Sequence, residues 1–374
     1  MHETLPSLPA VSESRQQRLG VVRQDLGAAT AARSAAKGVA LTAFVGAIYA
    51  ATWAAIFWTG SWPLKILLGY LNGLSIGMWF LVGHDACHHG LTPVGWLNRL
   101  LGRIAFLPAL HPYAAWELSH NGLHHGWTNL KGRDPGFAPL TMAEFDALPR
   151  WRRAMHRVYR TCPGLTLYYL IENWVRTEMW PSAEHRARLR SPRTFRNDRA
   201  LVLAFAVLMI GLSAGAGAFM RPPGQSAWVA AAAHLAAAWV LPFLIWNGFI
   251  SFITFQQHTH PRVRWFDNEP EWTFYETQVR GTVHIEFPWV LRLLLHNINE
   301  HTAHHINPRV PLYGLKQAQD RVREVLTDDV IVLRWSPRVM FETLRRCKLY
   351  DFREHRWLDF AGCPTTESMK VAAG

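Results

Sequence analysis

Apolar residues gather in this chain into two pairs of long runs. Val39–Thr59 and Trp62–Gly83 form the first pair, and Ala200–Met220 and Trp228–Phe255 the second; Lys65 and His234 are the only basic residues inside them. A helix rises 1.5 Å per residue, so about 20 apolar residues cross the roughly 30 Å of bilayer hydrocarbon. Each run meets that length. Gly60-Ser61 closes the first pair and the short Arg221–Ala227 stretch the second. Buried helices of a large soluble protein have no reason to come as run, tight turn, run. The pattern predicts an all-α membrane protein: four transmembrane helices in two hairpins, with a helical cap outside the membrane. It divides into a polar tail over 1–38, a membrane domain over 39–320 and a carboxyl segment over 321–374.

Between the hairpins the pattern breaks up. Ile104–Trp116 is apolar but short and broken by Pro108 and Pro112, and reads as an interfacial or re-entrant piece. Leu165–Val175 reads as an amphipathic helix on the cap or the membrane surface. The first 38 residues lack an apolar core of the kind a cleavable signal needs.

Charge sets the orientation. The chain carries a formal +12. The segment between the hairpins holds Arg150, Arg152, Arg153, Arg157, Arg160, Arg186, Arg188, Arg190, Arg193, Arg196 and Arg199, while the hairpin loops hold almost none. Basic loops stay in the cytoplasm, which puts both termini and the middle segment there. That surface suits anionic lipid headgroups or an acidic electron donor. No nucleic-acid-binding motif accompanies it, and nucleic acid is not an expected partner. Cys87, Cys162, Cys347 and Cys363 show no metal or redox spacing, as in a reduced compartment.

Three clusters of histidine carry the chemistry: His84-Asp-Ala-Cys-His88-His89, His120-Asn-Gly-Leu-His124-His125 and His301-Thr-Ala-His304-His305. Imidazole is costly to bury unpaired, but it is a good neutral nitrogen ligand for transition metals. One ion takes three or four protein ligands, so nine imidazoles are enough for two. His84 and His88 stand at i, i+4, as do His120 and His124, and His301 and His304 at i, i+3, so each pair shares a face if the segments are helical.

Topology agrees with a shared site. With a cytoplasmic amino terminus, the first cluster follows span two, the second lies in the middle segment and the third follows span four, all on one side. From Trp228 to Gln257 is 30 residues, or about 45 Å of helix, which overshoots the hydrocarbon by about 15 Å. The overhang carries His258, with Pro261 as a stop. His258 is therefore a tenth candidate ligand, with Thr259 and His260 pointing away. His111, His260 and His284 read as structural.

All-histidine ligation suits zinc, iron or copper. Two zinc ions would suit hydrolysis, as in a membrane amide hydrolase, which needs only about three of these histidines. Two irons would activate dioxygen against an unactivated C–H bond. A metal transporter would carry ionisable ligands within the spans, whereas here they lie at or beyond the ends.

On these residues the chain resembles the integral-membrane fatty acid desaturases, particularly the methyl-end (omega-6 type) acyl-lipid branch. The resemblance rests on Gly83-His84-Asp-Ala-Cys-His88-His89, His120-Asn-Gly-Leu-His124-His125-Gly-Trp127-Thr-Asn, Gln257-His258-Thr-His260-Pro and His301-Thr-Ala-His304-His305, and covers roughly residues 40 to 320. It implies a non-haem di-iron centre ligated by His84, His88, His89, His120, His124, His125, His258, His301, His304 and His305. Related branches use either the fifth or the sixth position of the first cluster, so His88 and His89 both stand as candidates. It further implies O2 as co-substrate, a ferredoxin or cytochrome b5 type electron donor, and a fatty acyl substrate linked to lipid, coenzyme A or a carrier protein. Hydroxylases and acetylenases share the signature. No His-Pro-Gly-Gly haem motif of a fused cytochrome is present, since His111-Pro112 runs into Tyr113.

Metal-bound imidazoles usually donate their second N–H to a carboxylate or carbonyl. Asp85, Asn121, His296, Asn297 and Glu300, with Asp134, stand near enough in sequence to serve. An acyl chain needs a dry channel, and Trp79, Phe80, Trp246, Phe249 and Phe252 are candidates to line it or to pack the spans.

Overall fold

The computed structural model describes residues 13–370. Four of its helices are long and apolar enough to cross a membrane: Ala35–Trp58, Trp62–Cys87, Pro192–Phe219 and Ala227–His258. We call these spans one to four. Span one is capped by the Ser34 side chain, which accepts from Lys37 N–H, and span three by Ser191, which accepts from Thr194 N–H ahead of Pro192 at the first helical position.

The apolar surface is turned outward, as in a protein solvated by lipid. Phe44, Ile66, Leu67, Val207 and Leu208 are all more than half exposed, an arrangement that water would penalise. Trp58 and Trp228 stand out at the hairpin ends, where amphipathic rings favour the interface, with the apolar Phe219 at the end of span three. Between spans, close approach replaces the hydrophobic effect. Gly69, Gly73 and Gly77 form one stripe on span two: a Cβ at Gly69 would lie 2.4 Å from the Ala237 carbonyl oxygen, and one at Gly77 2.6 Å from the Phe249 ring. Span four lies in that groove.

Where the site begins, span two runs longer than expected and span four runs as expected. Span two continues through His84 to Cys87, so the first cluster is part of the span rather than following it. Gly83 does not break the helix because Phe106 and Ala105 pack against it. Span four reaches His258 as one run of 32 residues, about 48 Å long.

The cap is not wholly helical, which corrects the all-α expectation. Val283–Glu286 pairs in parallel with Ile331–Arg334, and Leu349–Asp351 pairs antiparallel with Arg356–Leu358. The helix Leu315–Val325 runs across position 320. The amino-terminal helix Glu13–Ala29 lays Leu19, Val22 and Leu26 into the same core as Val263, Trp265, Val283, Leu315, Val322 and Trp357. The apolar stretch Ile104–Trp116 is not one piece: it begins in the last turn of an amphipathic helix, Gly95–Phe106, which exposes Trp96, Leu100 and Ile104 and buries Leu101, Ala105 and Phe106, and it ends in the short buried helix Tyr113–Trp116. Asp198 on span three fastens it, pairing with Arg103 at 2.7 Å and accepting from Ala114 N–H at 2.9 Å.

Candidate metal centre

Each histidine cluster reaches the site by a different local geometry. Span two ends in a Schellman turn: Gly90 N–H donates to the Asp85 carbonyl at 2.9 Å, His89 N–H to that of Ala86 at 3.0 Å, and His89 is left-handed at φ 57°. The last helical turn aims His84 and His88 inward. The left-handed residue then swings His89 off the helix face.

The second cluster sits on a π-helical segment, Glu117–His124. Its hydrogen bonds run i to i+5, as from His125 N–H to the His120 carbonyl at 2.9 Å. The wider turn brings His120 and His125 to one group of nitrogens and sends His124 to another. The i, i+4 pairing expected of an α-helix is therefore half right: the His120 and His124 rings stack with centroids 5.2 Å apart, yet their nitrogens part. The third cluster divides likewise. On the helix His301–Ile306, His301 and His305 share a group and His304 joins the other.

Two groups result, each with ligating nitrogens within 4.8 Å of one another: His84, His88, His120, His125 and His304 in one, and His124, His258, His301 and His305 in the other. His89 belongs to neither. Nor do His111, His260, His284 and His296. His111 is held by the Ala109 carbonyl at 2.7 Å and the Tyr169 hydroxyl at 3.0 Å, while His260 Nδ1 accepts from Arg262 N–H.

The nitrogens meet one another with too few protons to go round. His84 Nε2 lies 2.7 Å from His120 Nε2, which is 3.2 Å from His125 Nε2, itself 3.1 Å from His304 Nε2. In the second group His258 Nε2 lies 3.1 Å from His124 Nε2 and 2.7 Å from His301 Nε2. A neutral imidazole has one donor and one acceptor, so a series meeting through the same nitrogen cannot be satisfied pairwise. His88 Nε2 and His305 Nε2 are buried with no partner at all. Protonation is no remedy. Burial, then the neighbouring histidines, hold His88, His120, His125, His301, His304 and His305 well below the usual imidazole range. A shared cation accepts all these lone pairs at once, and the residues fit one in each group.

Two rings are oriented from behind. His124 Nδ1 lies 3.0 Å from Asp134 Oδ1, whose other oxygen accepts from Asn129 N–H. His305 Nδ1 lies 2.6 Å from Gln278 Oε1, and Gln278 also donates to the His125 carbonyl at 2.8 Å. Gln278 is fully buried and is not marked in the sequence because it lies far from all three histidine clusters. Of the other orienting candidates, Asp85 accepts from Leu312 N–H, Asn121 donates to the Cys87 carbonyl and Asn297 to that of Leu312. Glu300 lies 3.1 Å from His284 Nδ1. These ties position loops rather than rings of the two groups. Left-handed His296 has a buried Nε2 without a partner, away from both.

Both groups open onto one narrow, mostly apolar cavity. Phe80, Phe137, Ile250, Ile253 and Ile298 make it apolar; His84, His120, His124, His258 and His301 reach into it. One wall is polar: Ser119 donates to Glu178, with Asn173 and Thr177 alongside. Burial raises the Glu178 carboxyl to about 8, and the Ser119 hydrogen bond lowers it in part, so it is mostly neutral at pH 7. Of the expected lining aromatics only Phe80 lines the cavity; Trp246 packs behind it with centroids 4.4 Å apart, and Trp79 packs at a tilt against Tyr49.

Residues 56–337 match the model of the fatty acid desaturase family. The chain belongs to that family. It is 28% identical over 311 residues to a chloroplastic omega-6 fatty acid desaturase of Brassica napus, an alignment covering 83% of this chain and 65% of that protein. Against the sn-1 oleoyl-lipid 12-desaturase of a Picosynechococcus species it is 28% identical over 304 residues, 80% of each chain. An sn-1 acyl-lipid omega-3 desaturase (ferredoxin) of a Nostoc species is 27% identical over 267 residues, 71% of this chain and 69% of that one. The chain thus spans slightly under two thirds of the plant protein and four fifths of the 12-desaturase. Its four apolar helices and this family make it an integral membrane protein.

Proposed function

We propose that this chain is an oxygen-dependent fatty acyl desaturase carrying two irons. The first would be held by His84, His88, His120, His125 and His304, the second by His124, His258, His301 and His305. The observation that carries this reading is the convergence of nine imidazoles into two adjoining groups at the wall of one apolar cavity. One zinc site would leave more than half of these buried nitrogens without a role. Two irons, when bound, supply the activation of dioxygen needed to remove hydrogen from an unactivated C–H bond.

The protein's own part is positioning and exclusion of water. Phe80, Phe137, Ile250, Ile253 and Ile298 hold a methylene chain against the two groups. Asp134 and Gln278 keep the Nε2 atoms of His124 and His305 pointed at the metals by taking the opposite N–H. Glu178, mostly protonated, adds little charge beside the chain. The names of the relatives favour a glycerolipid-linked acyl chain and a ferredoxin-type donor, with coenzyme A or carrier-linked chains and cytochrome b5 as the other members of each class. The basic middle segment favours a cytoplasmic cap and cytoplasmic termini.

The test is expression in a host that makes only monounsaturated lipids, read as fatty acid profile, with metal analysis of the purified protein. A second double bond and two irons per chain are expected. A hydroxylated product would transfer the chain to the hydroxylase branch, and one zinc with no iron would overturn the di-iron reading.

A further inference from the structure

His89 is the one histidine of the three clusters that turns away from the metals, and its surroundings differ from theirs. It is half-buried, and basic side chains on several loops gather round it. Arg33 donates to the His89 carbonyl at 3.0 Å. Arg309, Arg99 and Arg190 stand close enough for their charges to act on the His89 ring, and the Glu117 carboxylate opposes them.

Independent contacts fix each of these loops at the same place. Leu312 N–H donates to Asp85 Oδ2 at 3.2 Å, which ties the loop after Arg309 to the last turn of span two. Ser34 N–H donates to the Tyr313 hydroxyl at 2.8 Å, which joins the Arg33 turn to that same loop. Leu189, next to Arg190, packs with Leu118 and Ala115 beside Glu117. Leu101, on the helix of Arg99, packs with Ala86 and Leu91. Arg99, Arg190 and Arg309 are exposed, and among the described residues none of them is within ion-pair distance of a carboxylate.

Behind this rim lies the His84, His88, His120, His125 and His304 group, joined to it through His88, the residue before His89. Asn121 donates to the Cys87 carbonyl at 2.9 Å, and the His88 and His125 rings are 4.6 Å apart, so the π-helical segment and the end of span two form one surface. Gly122 and Gly126 are exposed there and add no side-chain bulk between that surface and these histidines.

We propose that this arginine rim around His89 is the docking surface for an acidic one-electron carrier protein, seated over the first metal group. The inference rests on the desaturase reading above. That reaction needs an outside reductant: R–CH2–CH2–R′ + O2 + 2 e⁻ + 2 H⁺ gives R–CH=CH–R′ + 2 H2O, so two reduced carriers are oxidised for each double bond formed. Charge complementarity sets encounter rate and orientation more than final affinity. A rim with three free guanidiniums beside the Glu117 carboxylate selects for an acidic face, and salt weakens it.

The test compares wild type with the triple charge reversal Arg99→Glu, Arg190→Glu and Arg309→Glu, and with Arg338→Glu as an exposed control elsewhere. Turnover in detergent is driven either by a reduced plant-type ferredoxin or by dithionite with a small neutral mediator. The triple variant should raise the KM for ferredoxin tenfold or more and lose its salt dependence. Its mediator-driven rate should stay within twofold of wild type, and the control should match wild type in both. An unchanged ferredoxin KM overturns the proposal. So does a variant that keeps ferredoxin-driven turnover and loses only its binding to phosphatidylglycerol vesicles, which would make the rim a lipid contact. If wild type shows no mediator-driven turnover, the desaturase reading itself fails, which is a separate result.

Discussion

Replacing Gln278 with leucine removes an acceptor from His305 Nδ1 at 2.6 Å and a donor from the His125 carbonyl at 2.8 Å, in a fully buried position. Leucine fills most of the space, so the loss is chiefly polar. Each group left buried without a partner costs about 1–3 kcal/mol, so the metal-free protein should lose roughly 2–6 kcal/mol of stability. The sharper effect is on metal. With the Gln278 acceptor gone and only the Thr128 hydroxyl left behind it at 3.4 Å, the His305 ring is freer to take the other tautomer, with its proton on Nε2 and its lone pair turned away from the second group. Losing such an orienting partner lowers metal affinity about 10–100-fold. The assay is chelator competition for ferrous iron in detergent, with thermal unfolding of the metal-free protein measured in parallel. Gln278→Glu keeps an acceptor for His305 and should retain affinity within threefold, though it unfolds earlier. A leucine variant that melts early and binds iron as wild type does would refute the orienting role and reduce Gln278 to packing.

The remaining predictions concern the ligands and the polar wall. His304→Ala should lose turnover more than 100-fold while the protein stays in the membrane fraction; activity like wild type's would remove His304 from the site. His258→Ala should lose iron or activity tenfold or more, and His260→Ala should stay near wild type at equal protein level; the reverse result would exchange their roles. Glu178 gives a pH signature. Its folded carboxyl is raised to about 8, so between the unfolded value and about 8 the folded state binds the extra proton, and stability falls as pH rises through that window. Glu178→Gln, with no proton to lose, should show a flatter melting temperature between pH 5 and pH 8.5, and equal slopes in the two proteins would refute this.

Much of this arrangement was legible in the chain. The four spans were, because a bilayer imposes a length and polarity that few other environments do. So was the place of His258, which followed from the excess length of span four. What was not legible depends on backbone geometry that composition does not mark. His89 and His88 are chemically identical in the sequence, and only a left-handed turn separates their directions. Gln278 and Glu178 reach the site from segments far from all three histidine clusters. The short strands Val283–Glu286 and Ile331–Arg334 are separated by more than 40 residues, and neither alternates clearly enough to betray the pairing.

The π-helical turns explain why local periodicity misleads here. Among the described residues there are four, and three of them serve the site or its cavity: Glu117–His124 carries His120 and His124 and is capped by His125, Tyr169–Met179 carries Asn173 and Glu178, and Tyr275–Val279 carries Gln278. A π-turn gives up regular hydrogen bonding for an extra residue per turn, and such turns persist mostly where function gains from them. The gain in the second cluster is specific. An α-helix would place His120 and His124 one above the other on a single face, serving one ion between them. The wider turn lets adjacent His124 and His125 point to different groups, so one short segment ties the two groups together. Restoring α-geometry by deleting one residue, such as Gly122, would therefore do more than shift a loop. It would uncouple the two groups while leaving every histidine in the chain.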